Sequence, residues 1–443
     1  MNQSFARVAL ALAAALAMTG AAPAPKPAAS PAETLRFPRA VVTDLGPMKM
    51  QAESDADARL GGVQIFFSAG LDRQTVAQNG VAALVAECIA RTTVDGSALR
   101  DAIADRGGAL QYTIDGRATR YYLEARSEDL PVLLALFARA LAAPDFSTAT
   151  LASARAALSN RVNDIEGNAI SVGVQMFRRS YYEAGAGLPA LGTTTSLAAL
   201  GPSDAAAFYR AQYRRGGVGV SAVGRVTPEI ASALRALGDA LPEGTLAPVS
   251  AKARAIPENA PRIVARRDVG APVIVVGFAA PSPGSKDFGA MLVLESLLSN
   301  SFERTSATTL GIVERSVGAS YLYDGSPASL IVYVNGNRVD PTVVIRELLV
   351  VSKSLGSQPL SADSLRRFKT TAEGAFVTGA VTLSDRSYVL GTLGAQGLGP
   401  DAMNATLASI EHVGAADVRR VAKKYLQRYI VALVLPRSAA GGS

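Results

Sequence analysis

The apolar positions of this chain fall into two sets of the same design. Val63-Gln64-Ile65-Phe66-Phe67 and Val273-Ile274-Val275-Val276-Gly277 are β-rich runs that predict strands. Each leads through a loop into an Ala/Leu-rich stretch, Gly80 to Arg91 and Phe288 to Leu298, that predicts a buried helix. Gly108-Ala109-Leu110-Gln111-Tyr112 then answers Gly318-Ala319-Ser320-Tyr321-Leu322. From 63 to 273 and from 108 to 318 the spacing is the same, 210 residues. Asp115-Gly116 and Asp324-Gly325 follow, dipeptides that turn a chain tightly between strands. Alternating strands are predicted next at Thr119 to Ala125 and Ser329 to Val334. Asp129-Leu130-Pro131 and Val339-Asp340-Pro341 each open a long amphipathic helix, with proline in the first turn, where its missing N–H costs nothing. The two sets also end alike. Gly201-Pro202-Ser203-Asp204 and Val413-Gly414-Ala415-Ala416-Asp417 precede helices that run into the strands Val218 to Val223 and Ile430 to Leu435.

The repeat predicts an α+β chain of two homologous domains, residues 36–238 and 262–438. Each is expected to be an antiparallel sheet with helices packed on one face. Residues 239–261 carry Pro242, Gly244, Pro248, Pro257 and Pro261 and read as an extended, solvent-exposed linker. Before the first domain, Arg7 and the apolar run Val8 to Met18, followed by small residues to Ala22, have the form of a signal peptide over 1–22. Residues 23–35 (with PAPKPAASP) read as a disordered leader. The expected location is the periplasm. Apart from the N-terminus, no apolar run is long enough to span a membrane.

Composition narrows the chemistry. The 443 residues include 49% hydrophobic and 18% charged residues, enough apolar material for sizeable cores. The net charge of +7 is spread along the chain without a long Lys/Arg tract, which argues against a nucleic-acid partner. There is one cysteine, Cys88, and one histidine, His412. A disulfide framework, a cysteine zinc cluster and any site with two histidine ligands are therefore excluded within the chain. The glycine-rich stretches Glu183 to Leu188 and Gly391 to Pro400 lack the Lys-Ser/Thr of a phosphate loop and read as loops. His412 lies just before a predicted helix and receives no chemical role.

The stretch Gly80-Val81-Ala82-Ala83-Leu84-Val85-Ala86-Glu87-Cys88-Ile89-Ala90-Arg91-Thr92-Thr93 resembles the zinc helix of the insulinase, pitrilysin and mitochondrial-processing-peptidase family. Pro144-Asp145-Phe146, Leu191-Gly192-Thr193, Phe208 to Tyr213, Gly224-Arg225-Val226 and Val418 to Leu426 fit the same pattern in order and spacing, over almost the whole mature chain. The resemblance implies a clamshell built from two-domain units. It also implies a motif, H-x-x-E-H, in which two imidazoles one helical turn apart hold zinc and the Glu between them activates its water. Here those positions are Ala83, Ala86 and Glu87. The third ligand, a Glu in the family, falls near Asn160-Arg161, and Arg161 is a cation. Glu87 is left as the one oxygen donor at the motif, with Asp164 and Glu166 near it in sequence order only through Arg161. No metal is expected in this chain, and zinc is expected in a partner.

In heterodimeric members one subunit carries zinc while the other holds the substrate through an Arg/Tyr pair in its second domain. The corresponding stretch is Glu314-Arg315-Ser316-Val317-Gly318-Ala319-Ser320-Tyr321. Tyr321 fits. Glu314 stands in the Arg position and Arg315 follows it, a shift of about 100° if the segment is helical. Arg304 is a further candidate, and Tyr323 is expected on the same face as Tyr321. A second peptide-binding element is expected at a sheet edge, about Gly107 to Ile114. The resemblance thus implies a non-catalytic, substrate-binding subunit that pairs with a zinc-bearing homologue to cleave peptides or small unfolded proteins. A scaffold or peptide-binding protein without a role in proteolysis is the alternative, and a stand-alone hydrolase with displaced ligands is the third.

Overall fold

The β-rich runs at Val63 and Val273 become central strands of two sheets with the same wiring. The computed structural model describes residues 36–437 except 248, 250, 251, 260, 311–316, 324–326 and 336–339. The proposed signal and leader and the Asp324-Gly325 turn lie outside the described residues.

In the first half the strands are β1 (Val41–Asp44), β2 (Lys49–Ser54) and β3 (Leu60–Phe67). Helix α1 (Val81–Arg91) follows, then a short β4/β5 hairpin (Thr93–Val94, Ser97–Ala98) and α2 (Leu99–Ala104). Strands β6 (Ala109–Ile114) and β7 (Thr119–Arg126) lead to α3 (Leu130–Ala142), α4 (Thr148–Glu166) and α5 (Ala169–Tyr181). The half closes with α6 (Thr194–Ala199), α7 (Pro202–Gln212), β8 (Val218–Gly224) and α8 (Pro228–Asp239).

The second half runs β9 (Arg262–Arg267), β10 (Val273–Ala279), α9 (Phe288–Thr305), β11 (Val317–Leu322) and β12 (Ser329–Asn335). It continues through α10 (Pro341–Ser357), α11 (Ala362–Thr378), α12 (Leu383–Ala395), α13 (Ala402–Glu411) and α14 (Ala415–Tyr425) to β13 (Tyr429–Pro436).

The first sheet has the order β1-β2-β8-β3-β7-β6 and the second β11-β12-β10-β13-β9. Read from the opposite end, the second order repeats the first without β1. Most pairs are antiparallel. In each sheet the last strand of the half lies parallel to the first strand of the repeat, β8 on β2 and β13 on β9. Strand β6 pairs only with β7, so it is a sheet edge, and its residues alternate outward and inward.

Each sheet buries one face against helices of its own half. Leu84, Leu134, Phe137 and Tyr213 belong to the first core, and Phe288, Leu294, Leu348 and Val421 to the second. The opposite faces are covered by an exchange that the one-face expectation did not contain. Helix α5, from the first half, lies on β10 and β13, and α12, from the second half, lies on β3 and β8. Val172, Phe177, Tyr181 and Tyr182 form one core with Val273, Val275, Ile331 and Val434. Burying a phenylalanine such as Phe177 contributes roughly 1.5–3 kcal/mol, so each crossing helix is held by apolar burial on the other half's sheet.

Glycine makes both close approaches. A Cβ on Gly277 of β10 would lie 2.2 Å from the Phe177 ring, and one on Gly391 of α12 would lie 2.2 Å from the Phe66 ring. Strand glycine receives helix phenylalanine on one sheet, and strand phenylalanine receives helix glycine on the other. Gly391 is thus part of a helix face, which corrects the loop expected over Gly391 to Pro400; Gly394 meets Gln51 in the same way. The stretch Glu183 to Leu188 forms a buried 3-10 turn over Ala184–Gly187, pressed on the Leu71 carbonyl.

Polar contacts tie the halves together. Glu53 pairs with Arg386 at 2.5 Å, Ser221 Oγ donates to the Ser387 carbonyl at 2.6 Å, and Tyr181 Oη donates to the Ala328 carbonyl at 3.2 Å. The described part of 239–261 is largely exposed but is tied down at several points. Leu241 and Ile256 are buried, Arg215 Nε donates to the Leu241 carbonyl, and Ala253 bridges to Tyr182. Two of its apolar side chains, Leu241 and Ile256, join cores, which a proline-based reading does not register.

A side chain at Gly391 has to displace the Phe66 ring or lift α12. Gly391→Val is expected to lower the unfolding free energy by about 2–3 kcal/mol, measured by urea denaturation. Wild-type stability in that variant would contradict the close helix–sheet approach.

Candidate functional site

Helix α1 follows Gly80, whose φ of 93° is left-handed and lets the chain turn from the loop straight into the helix. The helix is buried over Val81 to Ala90, so every side chain there meets protein. Ala83 and Ala86 are fully buried and present methyl groups where the family resemblance implies a ligand and a base. Glu87 meets α2 and β6 through Arg100 and Tyr112 and is 2% exposed.

Both Glu87 oxygens are engaged. Oε1 accepts from Arg91 Nε at 2.8 Å and from Arg100 at 3.2 Å. Oε2 accepts from the other Arg100 nitrogen at 3.1 Å and from Tyr112 Oη at 2.6 Å. Arg161 Nη1 donates to that same tyrosine oxygen at 2.8 Å, and its guanidinium lies 5.1 Å from the centre of the Tyr112 ring. The structure therefore brings Glu87 and Arg161 together through Tyr112. Burial alone would raise the Glu87 carboxyl. Hydrogen bonds from Arg100 and Tyr112, with the charges of Arg100 and Arg91, overcome that and hold it below the ordinary value. Burial and the Glu87 charge push the Tyr112 phenol well above its ordinary range, so it remains a neutral donor.

This donor set does not fit zinc. Two positions are methyls, the third is a cation, and the remaining carboxylate has no free lone pair directed at a shared point. Among the described residues no group of three His, Cys, Asp or Glu side chains could hold a metal ion. Asp164 and Glu166 form no contact with Glu87, and both are exposed on α4. The neighbouring Cys88 is buried, and burial followed by the charges of Glu87 and Asp145 pushes its thiol up to about 12, so it carries no thiolate at neutral pH.

The second-domain positions lie apart from this cluster. Tyr321 is on β11, with its ring buried against Phe288 and Tyr323. Its hydroxyl donates to the Pro281 carbonyl, so a substrate carbonyl would have to displace Pro281. Tyr323 lies on the same side, as expected, with its ring partly buried. Arg304 is exposed near the end of α9, while Glu314 and Arg315 lie outside the described residues. His412 caps α13 on the surface, its Nδ1 2.6 Å from the Ala408 carbonyl.

Three members of the cluster were missed from the sequence: Arg91, Arg100 and Tyr112. Arg91 is four residues after Glu87 on one helix, a spacing that signals a pair. Arg100 and Tyr112 reach Glu87 only through the tertiary fold. A further acidic residue was missed in the second half. Glu295 of α9 accepts from the Tyr321 backbone N–H at 2.8 Å and has no cation paired with it among the described residues. Burial pushes its carboxyl up to about 7 against the weaker opposing effect of that hydrogen bond.

Residues 49–194 match the family model described as insulinase (peptidase family M16). No curated protein matches the chain. Among solved structures, a protease from Helicobacter pylori is similar at 15% identity and a TM-score of 0.80, over 90% of this chain and 100% of that one. The peptidase M16 inactive domain from Pseudomonas fluorescens is similar at 14% identity and a TM-score of 0.78, over 91% and 100%. A chain of complex III2 from Candida albicans reaches 0.72 at 14% identity, over 88% and 94%. At such identities these likenesses establish the shared fold, and the family model carries the resemblance for the residues it covers.

Replacing Glu87 leaves Arg91 and Arg100 without their shared carboxylate. Glu87→Gln is expected to lose about 1–3 kcal/mol at pH 7, less than a wholly buried pair because the arginines are partly exposed. The carboxyl is depressed in the folded chain, so its contribution is present above the unfolded pKa near 4.5 and is lost as pH falls through the folded value. The gap between wild type and variant should therefore close on acidification, followed by denaturation at stepped pH. Glu295 has the opposite sign. Its folded carboxyl keeps a proton that the unfolded chain releases, so stability declines between pH 4.5 and about 7. Glu295→Gln should be more stable than wild type at pH 8 by on the order of 2 kcal/mol, with no difference at pH 4.

Proposed function

Residues 49–194 belong to the insulinase family (peptidase family M16), and from that premise we propose that this chain is a non-catalytic, substrate-binding subunit of a heterodimeric zinc metallopeptidase. The observation that carries the reading is the saturated Glu87. The helix and the adjacent sheet edge of a peptidase domain are retained, while the metal position is filled by two methyls and an arginine-bound carboxylate. An arrangement that can present an extended peptide but cannot activate water fits a subunit whose chemistry comes from a zinc-bearing homologue. The partner supplies the Lewis acid and the general base when present. This chain supplies the β6 edge, where unpaired backbone groups can accept a peptide as an added strand. The N-terminal signal supports export, and we place the heterodimer in the periplasm, acting on peptides or small unfolded proteins. Among the described residues no helix is long and apolar enough to cross a membrane.

The second reading, a scaffold or peptide-binding protein without a role in proteolysis, draws on Tyr321. Its hydroxyl is already given to Pro281, so the residue serves the packing of its own domain.

The purified chain is expected to hold no stoichiometric zinc and to cleave no peptide. Mixed with a zinc-bearing homologue from the same cell, it should raise peptidase activity at least about tenfold above that subunit alone, a change equivalent to about 1.4 kcal/mol of transition-state stabilisation. A mixture no faster than the zinc subunit alone overturns the proposal. In an active mixture, loss of rate in Tyr321→Phe would assign the tyrosine to substrate, and an unchanged rate would assign it to packing.

A further inference from the structure

The cluster around Glu87 is unbalanced. Arg91 and Arg100 bond the Glu87 carboxylate directly, while Arg161 reaches it only through the Tyr112 hydroxyl. Arg91 and Arg100 share Glu87 between them. Arg161 has no carboxylate within ion-pair distance among the described residues; its one hydrogen bond goes to a neutral phenol. None of the three guanidiniums is sealed in. The side chains of Arg91 and Arg100 are 31% and 39% exposed, and Arg161 is exposed. The opposing charges near the cluster are Asp101, beside Arg100 in sequence, and Asp164, one turn along α4 from Arg161. Neither pairs with Arg161.

Position gives this excess charge a direction. Tyr112 belongs to β6, the free edge of the first sheet, and its side chain enters the helix side of the sheet. On a strand added beside β6, the residue opposite Tyr112 would send its side chain to the same face, with Cβ atoms about 4.5–5.5 Å apart. That face is where Arg161 lies over the tyrosine ring. With its guanidinium carbon 5.1 Å from the ring centre and Nη1 given to the tyrosine hydroxyl, Arg161 keeps further N–H groups, and a guanidinium's planar fork matches the two oxygens of a carboxylate.

We propose that the arginine cluster occupying the former metal position is a receptor for a carboxylate of the bound peptide, either an Asp or Glu side chain opposite Tyr112 or the C-terminal carboxylate of a peptide that ends there. The proposal rests on the reading of β6 as a peptide-binding edge and adds a charge preference to it. Where an active domain would direct the peptide bond at zinc, this one would anchor an acidic group.

The test uses the full chain and four N-acetylated, unlabelled decapeptides of neutral, strand-forming residues. They carry Asp or Asn at the centre, each with a free or an amidated C-terminus, and binding is read by isothermal titration calorimetry. The fully neutral peptide should bind weakly, and a correctly placed carboxylate should tighten binding about tenfold. The gain should shrink between 50 and 500 mM salt, concentrations chosen to span a roughly threefold change in screening length. Comparing Asp-amide with Asn-acid separates a side-chain carboxylate from a terminal one. Arg161→Gln should erase the gain, while Arg139→Gln, which alters an arginine paired with Asp95 elsewhere on the surface, should keep it. Circular dichroism checks that both variants are folded. Equal binding of all four peptides, or a gain that survives Arg161→Gln, overturns the carboxylate receptor and leaves the β6 edge standing. Failure of every peptide to bind overturns both.

Discussion

A carboxylate buried on an apolar helix has to be paired or protonated, and Glu87 imposes that condition on the first domain. It is 2% exposed on a helix whose other inward positions are Ala, Val, Leu, Ile and Cys. Leaving it ionised and alone would cost several kcal/mol. Arg91 from its own helix, Arg100 from the next and Tyr112 from the edge strand meet that demand together. The network fastens α1 to α2 and β6, with Arg161 adding α4. The same pairings that stabilise the domain occupy both Glu87 oxygens, so the bonds that support the helix also leave that carboxylate nothing to offer a metal.

The second half meets a similar condition differently. Glu295 also lies on the first long helix of its half and also contacts a tyrosine of the neighbouring edge strand, but through a backbone N–H and, among the described residues, without a paired cation. With nothing to neutralise it, burial raises its carboxyl to about 7 instead of lowering it. Two halves with one strand order thus shift the carboxyls of their buried acidic residues in opposite directions. Among the described residues the difference follows the local supply of arginine, which surrounds Glu87 and is missing at Glu295.

The exchange of α5 and α12 joins the halves. Each sheet has two faces to bury, and the helices of its own half cover one. The other is covered by a helix that crosses over, seated by a glycine on one side of the contact and a phenylalanine ring on the other. Because each half completes the other's core, sequence halves and packing units do not coincide, and the two sheets hold their relation through buried surface as well as through pairs such as Glu53–Arg386.

The order of strands and helices was legible in the amino-acid pattern because it depends on local alternation, periodicity and turn residues. The repeat at Val63 and Val273, the helix at Gly80 and the proline-opened helices at Leu130 and Pro341 all appear where that pattern puts them. The loss of the zinc motif was equally plain, since one histidine cannot supply two ligands. Tertiary structure alone decided what replaced it. Arg100 and Tyr112 are 13 and 25 residues from Glu87, and no periodicity links them. It alone decided that Tyr321 turns inward to Pro281, and that the glycines of Gly391 to Pro400 begin as a helix face. An amphipathic stripe records that a helix will be buried, but apolar contact has no addressee in sequence; which sheet receives it is fixed only when the whole chain closes.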